Sequence, residues 1–88
     1  MSNLAKLALA GLYHQTGRDG DAINLYNELV AKPSVTVSAA SAQLSLADLY
    51  VAEGKQGDAK AIWGKIKDTQ KDSAAASIAE QKLSGKGQ

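Results

Sequence analysis

Eight pairs of identical residues, each 37 positions apart, constrain the fold of this chain more than any other feature. They fall within two stretches, residues 9–26 and 46–63. A fixed period of this length marks a supersecondary unit that packs on its own copy, so the pairs predict two similar helical hairpins. The pairs are Leu9 and Leu46, Ala10 and Ala47, Leu12 and Leu49, Tyr13 and Tyr50, Gly17 and Gly54, Gly20 and Gly57, Asp21 and Asp58, and Ala22 and Ala59.

The spacing of apolar residues predicts that helix 1 needs neighbours on two sides, because two apolar stripes lie side by side along it. Ser2 or Asn3 can cap its N-terminus. Gly17 ends it, as Gly54 ends helix 3, because glycine adopts the left-handed conformation without a Cβ penalty. The first stripe is Leu4, Leu7, Ala8 and Leu12, and the second is Ala5, Leu9 and Tyr13.

The same reasoning predicts four further helices. Helix 2 begins near Asp19 and stops near Ala31, ahead of Pro33. Helix 3 covers about 38–53, helix 4 about 56–68 and a final helix about 73–83, which Asp72 or Ser73 caps and Gly85 ends before a frayed tail at 86–88. The expected inward residues are Ala22, Leu25, Tyr26 and Leu29 in helix 2, Ala42, Leu46, Leu49 and Tyr50 in helix 3, and Ala59, Ile62, Trp63 and Ile66 in helix 4.

The segment Ser34–Val37 alternates β-branched residues in the manner of a strand. A single run of four residues has no partner strand elsewhere in the chain, so we expect an extended linker instead.

Composition narrows the class of protein further. With 88 residues the chain forms at most one small domain, and ten Lys and Arg against nine Asp and Glu leave a net charge of +1. This balance argues against binding to nucleic acid or to an anionic membrane. The chain has no cysteine and one histidine, which excludes disulfides, thiolate metal sites and a cysteine nucleophile.

No stretch has the form of a membrane span or a targeting signal. The longest apolar run, residues 7–12, is far shorter than the roughly 20 residues of a transmembrane helix. Residues 1–6 lack the form of a secretion signal. Because the chain begins almost directly on a helix, we expect it to be an excised segment.

These residues resemble the tetratricopeptide repeat (TPR) family, whose pattern places a leucine and a small residue ahead of Tyr, Gly, Ala, an aromatic and Pro. Lys6 and Gln43 depart from the Trp that is usual at the first position, Leu29 and Ile66 replace a late alanine, and the second repeat lacks Pro. The matching residues are Leu9, Ala10, Tyr13, Gly17, Ala22, Tyr26 and Pro33, then Leu46, Ala47, Tyr50, Gly54, Ala59 and Trp63.

The resemblance implies an all-α fold, a right-handed α-α superhelix in one domain over residues 1–88. Its parts would be repeat 1 at about 3–33, repeat 2 at about 38–70 and a capping helix at about 73–84. The chain is most similar to the C-terminal part of bacterial cell-envelope TPR proteins, which implies the periplasmic side of the envelope as its setting.

The resemblance also implies a non-catalytic scaffold that binds a peptide or helix on the concave surface of helices 1 and 3. The family's peptide-carboxylate clamp cannot be built there, because several donors must converge on one carboxylate. The surface instead suits an apolar peptide or helix. By register it holds Leu4, Leu7, Gly11, His14, Leu44, Asp48 and Val51.

An alternative interpretation is structural. Leu4 and Leu7 would then pack against an upstream repeat or a second copy, and the chain would be the C-terminal cap of a longer array. A helical repeat that reads RNA is a third interpretation, but it needs basic residues along the concave side, where this register places none.

We expect no enzyme activity, cofactor or metal. No Ser-His-Asp or Cys-His set is available, and His14 has no second histidine or cysteine to share a metal with. The turn Asp19-Gly20-Asp21 lacks a third oxygen ligand at Ile23 for calcium. The lysines of helix 4 alternate with Asp58 and Asp68, as on a solvated convex face.

Overall fold

Five α-helices make up the fold in the computed structural model of the chain, which describes residues 2–35, 37–69 and 73–84. The all-helical class is confirmed, and no strand occurs in these ranges. The predictions for Thr36, Asp72, Gly85 and residues 86–88 lie outside them. The helices are α1 (Asn3–Gln15), α2 (Asp19–Ala31), α3 (Ala39–Ala52), α4 (Gln56–Thr69) and α5 (Ala74–Ser84).

Serine side chains cap three of the helices. Ser2 Oγ accepts a hydrogen bond from the Ala5 N–H at 3.1 Å, and Ser38 Oγ accepts one from the Ser41 N–H at 3.1 Å. Ser73 Oγ accepts likewise from the backbone N–H three residues later, at 3.0 Å. Each bond satisfies an N–H that has no partner within its helix, so the starts of α1, α3 and α5 are set locally.

The turns that close the two hairpins have the same geometry. Gly17 has a φ of 82° and Gly54 a φ of 80°. The N–H of the next residue donates to the carbonyl of Tyr13 at 2.7 Å in the first turn, and to that of Tyr50 at 2.8 Å in the second. This is the Schellman arrangement, in which a left-handed glycine lets the last carbonyls of a helix find donors.

A cation also lies over the tyrosine ring in each turn. The guanidinium of Arg18 is 4.6 Å from the centre of the Tyr13 ring, and Lys55 Nζ is 6.0 Å from the centre of the Tyr50 ring. Arg18 and Lys55 are themselves 37 positions apart, so the repeat includes a basic residue that the identical pairs do not reveal. Cation–π attraction adds a modest stabilisation to both turns.

Each helix packs mainly on its neighbours in the chain: α1 on α2, α2 on α3, α3 on α4 and α4 on α5, with a smaller contact between α3 and α5. The inward residues predicted for α2, α3 and α4 are all buried or partly buried in two apolar clusters. The first cluster is Ala10, Ala22, Tyr26, Leu29, Val37, Ala42, Leu46 and Leu49, and the second is Ala47, Ala59, Trp63, Ile66 and Ala79.

The tyrosines of the two hairpins face these clusters rather than solvent. Tyr13 packs against the first cluster, and Tyr50 packs against both. Ala22 and Ala59 are fully buried, as expected where a small residue lets two helices approach closely. Both hairpins therefore pack a tyrosine ring against the apolar core.

The linker between the hairpins contributes to the core, which the sequence reading did not predict. Val37 is fully buried in the first cluster, whereas Val35 is fully exposed. Ser34 and Val37 hold the turn by two bonds: the Ser34 N–H donates to the Val37 carbonyl at 2.9 Å, and the Val37 N–H donates to Ser34 Oγ at 3.1 Å. Residues two apart lie on the same face of a strand, so the opposite exposure of Val35 and Val37 fits a turn and not a strand.

Candidate functional site

The seven residues predicted to form a binding surface fall into two groups. α2 packs extensively against both α1 and α3, whereas α1 and α3 make little direct contact with each other over the described residues. Leu7 packs against the first apolar cluster, while Leu44 and Val51 pack against the second. The α1 residues and the α3 residues must therefore be considered separately.

On α1 the predicted residues range from exposed to half-buried. Leu4 is 58% exposed, whereas Leu7 and Gly11 are half-buried. His14 Nδ1 lies 2.9 Å from Asp19 Oδ1 of the next helix. An ionised carboxylate only accepts hydrogen bonds, so the imidazole donates from Nδ1. This contact gives His14 a structural role at the end of the hairpin.

The contact between His14 and Asp19 also lies against the turn of the second hairpin. The hydrogen bond with His14 is the main reason why the pKa of Asp19 is below its ordinary value of 3.8, against the opposing effect of desolvation; Glu53 and Lys55 lower it further. Glu53 Oε1 is buried, finds no hydrogen-bond partner in the described part of the chain, and lies 3.8 Å from Lys55 Nζ. The two turns therefore form one charged cluster of structural character.

On α3, two of the three predicted residues, Asp48 and Val51, border a groove of about 380 Å³ between α3, the start of α4 and the end of α5. Leu44 does not line it and is half-buried against the second cluster. Apolar contact in the groove comes from Val51, Trp63 and Leu83. The complete lining is Asp48, Val51, Gln56, Lys60, Trp63, Lys82, Leu83 and Ser84.

The charges of this groove are incompletely balanced. Asp48 Oδ1 lies 3.8 Å from Lys82 Nζ, and both side chains are substantially exposed, so the pair is weak. Lys60 has no ion pair within the described residues. Burial, and after it the charge of Asp48, raises the pKa of Tyr26 on α2. The charged residues of the groove are thus Lys60 and Lys82 against Asp48, which leaves one net positive charge for a ligand to neutralise.

Six groove residues were not predicted to be part of a site: Gln56, Lys60, Trp63, Lys82, Leu83 and Ser84. Lys60 was assigned to a convex solvated face, and Trp63 to the core alone. Trp63 is indeed buried, and its Nε1 has no hydrogen-bond partner among the described residues. A signal for Lys82 was available, because it lies 37 positions after Ser45, which follows the predicted residue Leu44 in α3.

No group of three or more histidine, aspartate or glutamate side chains that could hold a metal ion occurs among residues 2–35, 37–69 and 73–84. Of the helices formed by these residues, none is long and apolar enough to span a bilayer. The chain matches no protein-family model, and comparisons with curated proteins and with solved structures yield no match. What the protein does must therefore be argued from its own geometry.

Proposed function

We propose that this chain is a non-catalytic protein-interaction module of the TPR type, a right-handed superhelix that binds a peptide or helix on the surface of α1 and α3. The 37-residue period and the matching Schellman turns support the repeat architecture. The proposal includes no catalytic residue, cofactor or metal, and no nucleic-acid or direct membrane partner.

The groove beside Asp48 and Val51 carries this proposal. It joins apolar contact, from Trp63 and its neighbours, to the cation of Lys60, which forms no ion pair with any described residue. Extended peptides bind such grooves through alternate side chains, with apolar anchors for affinity and charges for orientation. The ligand that fits best is a peptide in which an acidic residue stands next to a large apolar one.

Selection from a displayed peptide library, followed by fluorescence anisotropy with the selected peptides, tests the proposal. We expect selected peptides to contain the acidic and apolar pair, and Lys60→Glu to weaken their binding at least about tenfold, since the charge complementarity is reversed. Lys67→Glu is the matched control, because Lys67 is exposed on the same helix but does not line the groove. Equal binding by the two variants would contradict the assignment.

A second candidate function is structural, with the chain as the C-terminal cap of a longer array. It is favoured by one observation: Leu12 is 53% exposed, whereas Leu49, its counterpart in the second hairpin, is 2% exposed. α2 covers Leu49 from the preceding hairpin, so an upstream hairpin would cover Leu12 in the same way.

This second function can be tested with a fusion in which a copy of the second hairpin precedes the chain. In the fusion we expect Leu12→Ala to lower the free energy of unfolding by about 2–5 kcal/mol, the usual cost of a buried leucine, and in the isolated chain by much less. The same small cost in both proteins would exclude the capping role.

A further inference from the structure

The solvent-facing side of α1 is unusually apolar. Ala10 is the one buried residue in this helix, and the opposite side presents Leu4, Ala8 and Leu12, which are four positions apart and so lie on one face. The exposed sides of α2 and α4 carry mainly polar and charged residues. Among the described helices α1 exposes two large apolar side chains on one face, whereas α5 exposes one, Ile78, so the stripe on α1 indicates a surface that is covered by something.

One residue of this stripe, and one residue beside it, correspond to residues that are buried in the second hairpin. Leu12 and the neighbouring Ala5 are exposed, while their counterparts Leu49 and Ala42 are buried in the first cluster. An upstream hairpin packed as α2 packs on α3 would account for these two positions.

The rest of the stripe is not explained by such stacking. The counterparts of Leu4 and Ala8 are Ser41 and Ser45, which remain exposed and half-buried in α3 although a hairpin precedes it. An upstream hairpin would therefore leave Leu4 at least partly in water. A partner centred on Ala8, rather than displaced towards Ala5, covers the whole stripe.

The arrangement Leu4, Ala8, Leu12 is symmetric about Ala8, so it can pair with itself in a twofold interface, in which residue i contacts j and j contacts i. In an antiparallel pair of α1 helices, Leu4 contacts the partner's Leu12, and the small Ala8 at the centre lets the axes approach to about 8 Å. In a second copy the inner faces of α2 and α4 are already covered by α3 and α5, and α5 exposes one large apolar residue, Ile78, whereas α1 exposes two, Leu4 and Leu12. The stripe also contains no charge to oppose such pairing.

We propose that two copies of this chain pair through α1, antiparallel, about a twofold axis close to Ala8. This inference rests on the second proposed function, docking through α1, and names the partner as a second copy. Lys6 does not interfere, since its Nζ is held 2.9 Å from Glu28 Oε1 on α2.

The dimer is weak. A helix of 13 residues is about 20 Å long, so the contact is smaller than the roughly 1,600 Å² of a standard interface. Interfaces at this end of the range belong to transient complexes, and we expect a Kd on the order of 10 μM to 1 mM.

Sedimentation velocity on the whole chain, from low micromolar to about 1 mM, tests the proposal. We expect a reversible increase in mean mass, and Leu4→Glu to shift the midpoint at least about tenfold in concentration, because two leucines leave the interface. The matched control is Ile78→Glu, which places the same charge at an exposed apolar residue of α5. A monomer throughout, or an equal effect of both variants, overturns the proposal.

Single cysteines test the register, since the chain has none of its own. Ala8→Cys lies on the axis, so we expect it to form an intermolecular disulfide under mild oxidation much faster than Ala61→Cys, on the exposed side of α4. Equal rates overturn the proposed axis. If the chain stays monomeric while Leu12→Ala destabilises the fusion described above, the docking function stands and only the choice of a second copy fails.

Discussion

α1 and α3 begin the two hairpins with closely related sequences, yet they are covered to different extents. α3 lies between α2 and α4 and also contacts α5, whereas α1 has only α2 as an extensive neighbour. As a result α3 buries six residues and α1 buries one. The apolar pattern of a helix therefore limits which residues it can bury, while the helices packed against it determine which of them are buried.

We expect the largest effect from a substitution that removes the buried aromatic ring of the second hairpin. Trp63→Ala should lower the free energy of unfolding by about 3–5 kcal/mol, close to the whole stability of so small a domain. Urea denaturation followed by far-ultraviolet circular dichroism measures it. Trp63→Phe is the control: because Nε1 has no hydrogen-bond partner among the described residues, the ring can be replaced at far lower cost. A loss below about 1 kcal/mol in Trp63→Ala would show that the second hairpin is not the main source of stability.

The next effect compares the same substitution at equivalent positions. Leu49→Ala should cost about 2–5 kcal/mol, and Leu12→Ala less than about 1 kcal/mol, since only the first creates a cavity. Both are measured by urea denaturation at low micromolar concentration, where α1 is unpaired. Similar losses would mean that α1 and α3 are equally covered, and the comparison would fail.

The turns should respond alike, because there the two hairpins do not differ. Gly17→Ala and Gly54→Ala should each cost about 1–2 kcal/mol, since both glycines are left-handed. A Cβ at either position has no atom within 4 Å, so the cost is conformational and not steric. Thermal unfolding of the two variants checks this. A large difference in their stability would show that the two turns are not equivalent.

The smallest effect concerns a charge that only the first hairpin has, since Asp19 corresponds to Gln56. The pKa of Asp19 is below its ordinary 3.8, chiefly because of the hydrogen bond with His14. Ionised Asp19 therefore stabilises the fold above pH 3.8, and this contribution is lost as the pH falls through the lowered pKa.

We expect Asp19→Asn to make the acid limb of the unfolding free energy shallower in denaturant titrations between pH 7 and pH 2. The limb should not become flat, because Lys6 also lowers the pKa of Glu28, mainly through their hydrogen bond. Asp68→Asn, at an exposed carboxylate of α4 with no ion pair in the described residues, serves as the control. An unchanged acid limb in Asp19→Asn would argue against the contact with His14.

Most of the secondary structure could be predicted from the sequence because its signals are local. Ser2 and Ser38 cap helices, and Gly17 and Gly54 end them, by interactions within a few residues. Val37 shows the limit: its burial depends on how two hairpins pack, and nothing in its neighbourhood distinguishes it from the exposed Val35.

The candidate site was less accessible to sequence reasoning. The register placed Asp48 and Val51 on one surface with the α1 residues, whereas in the structure these two line a groove that α1 does not border, and Lys60 of that groove was missed. A groove depends on the angle at which α5 meets α3 and α4, and no short-range signal sets that angle. The period did contain a hint in Lys82, which lies 37 positions after Ser45 of α3.

The central claim is that Leu12 in α1 is exposed to solvent, whereas the equivalent Leu49 in α3 is buried. It is tested most directly by thiol labelling of Leu12→Cys and Leu49→Cys, one at a time and at low micromolar concentration, in a chain without other cysteines. We expect Cys at position 12 to react nearly as fast as a free thiol, and Cys at position 49 to react only through unfolding, slower by orders of magnitude. Comparable rates at the two positions would contradict the account.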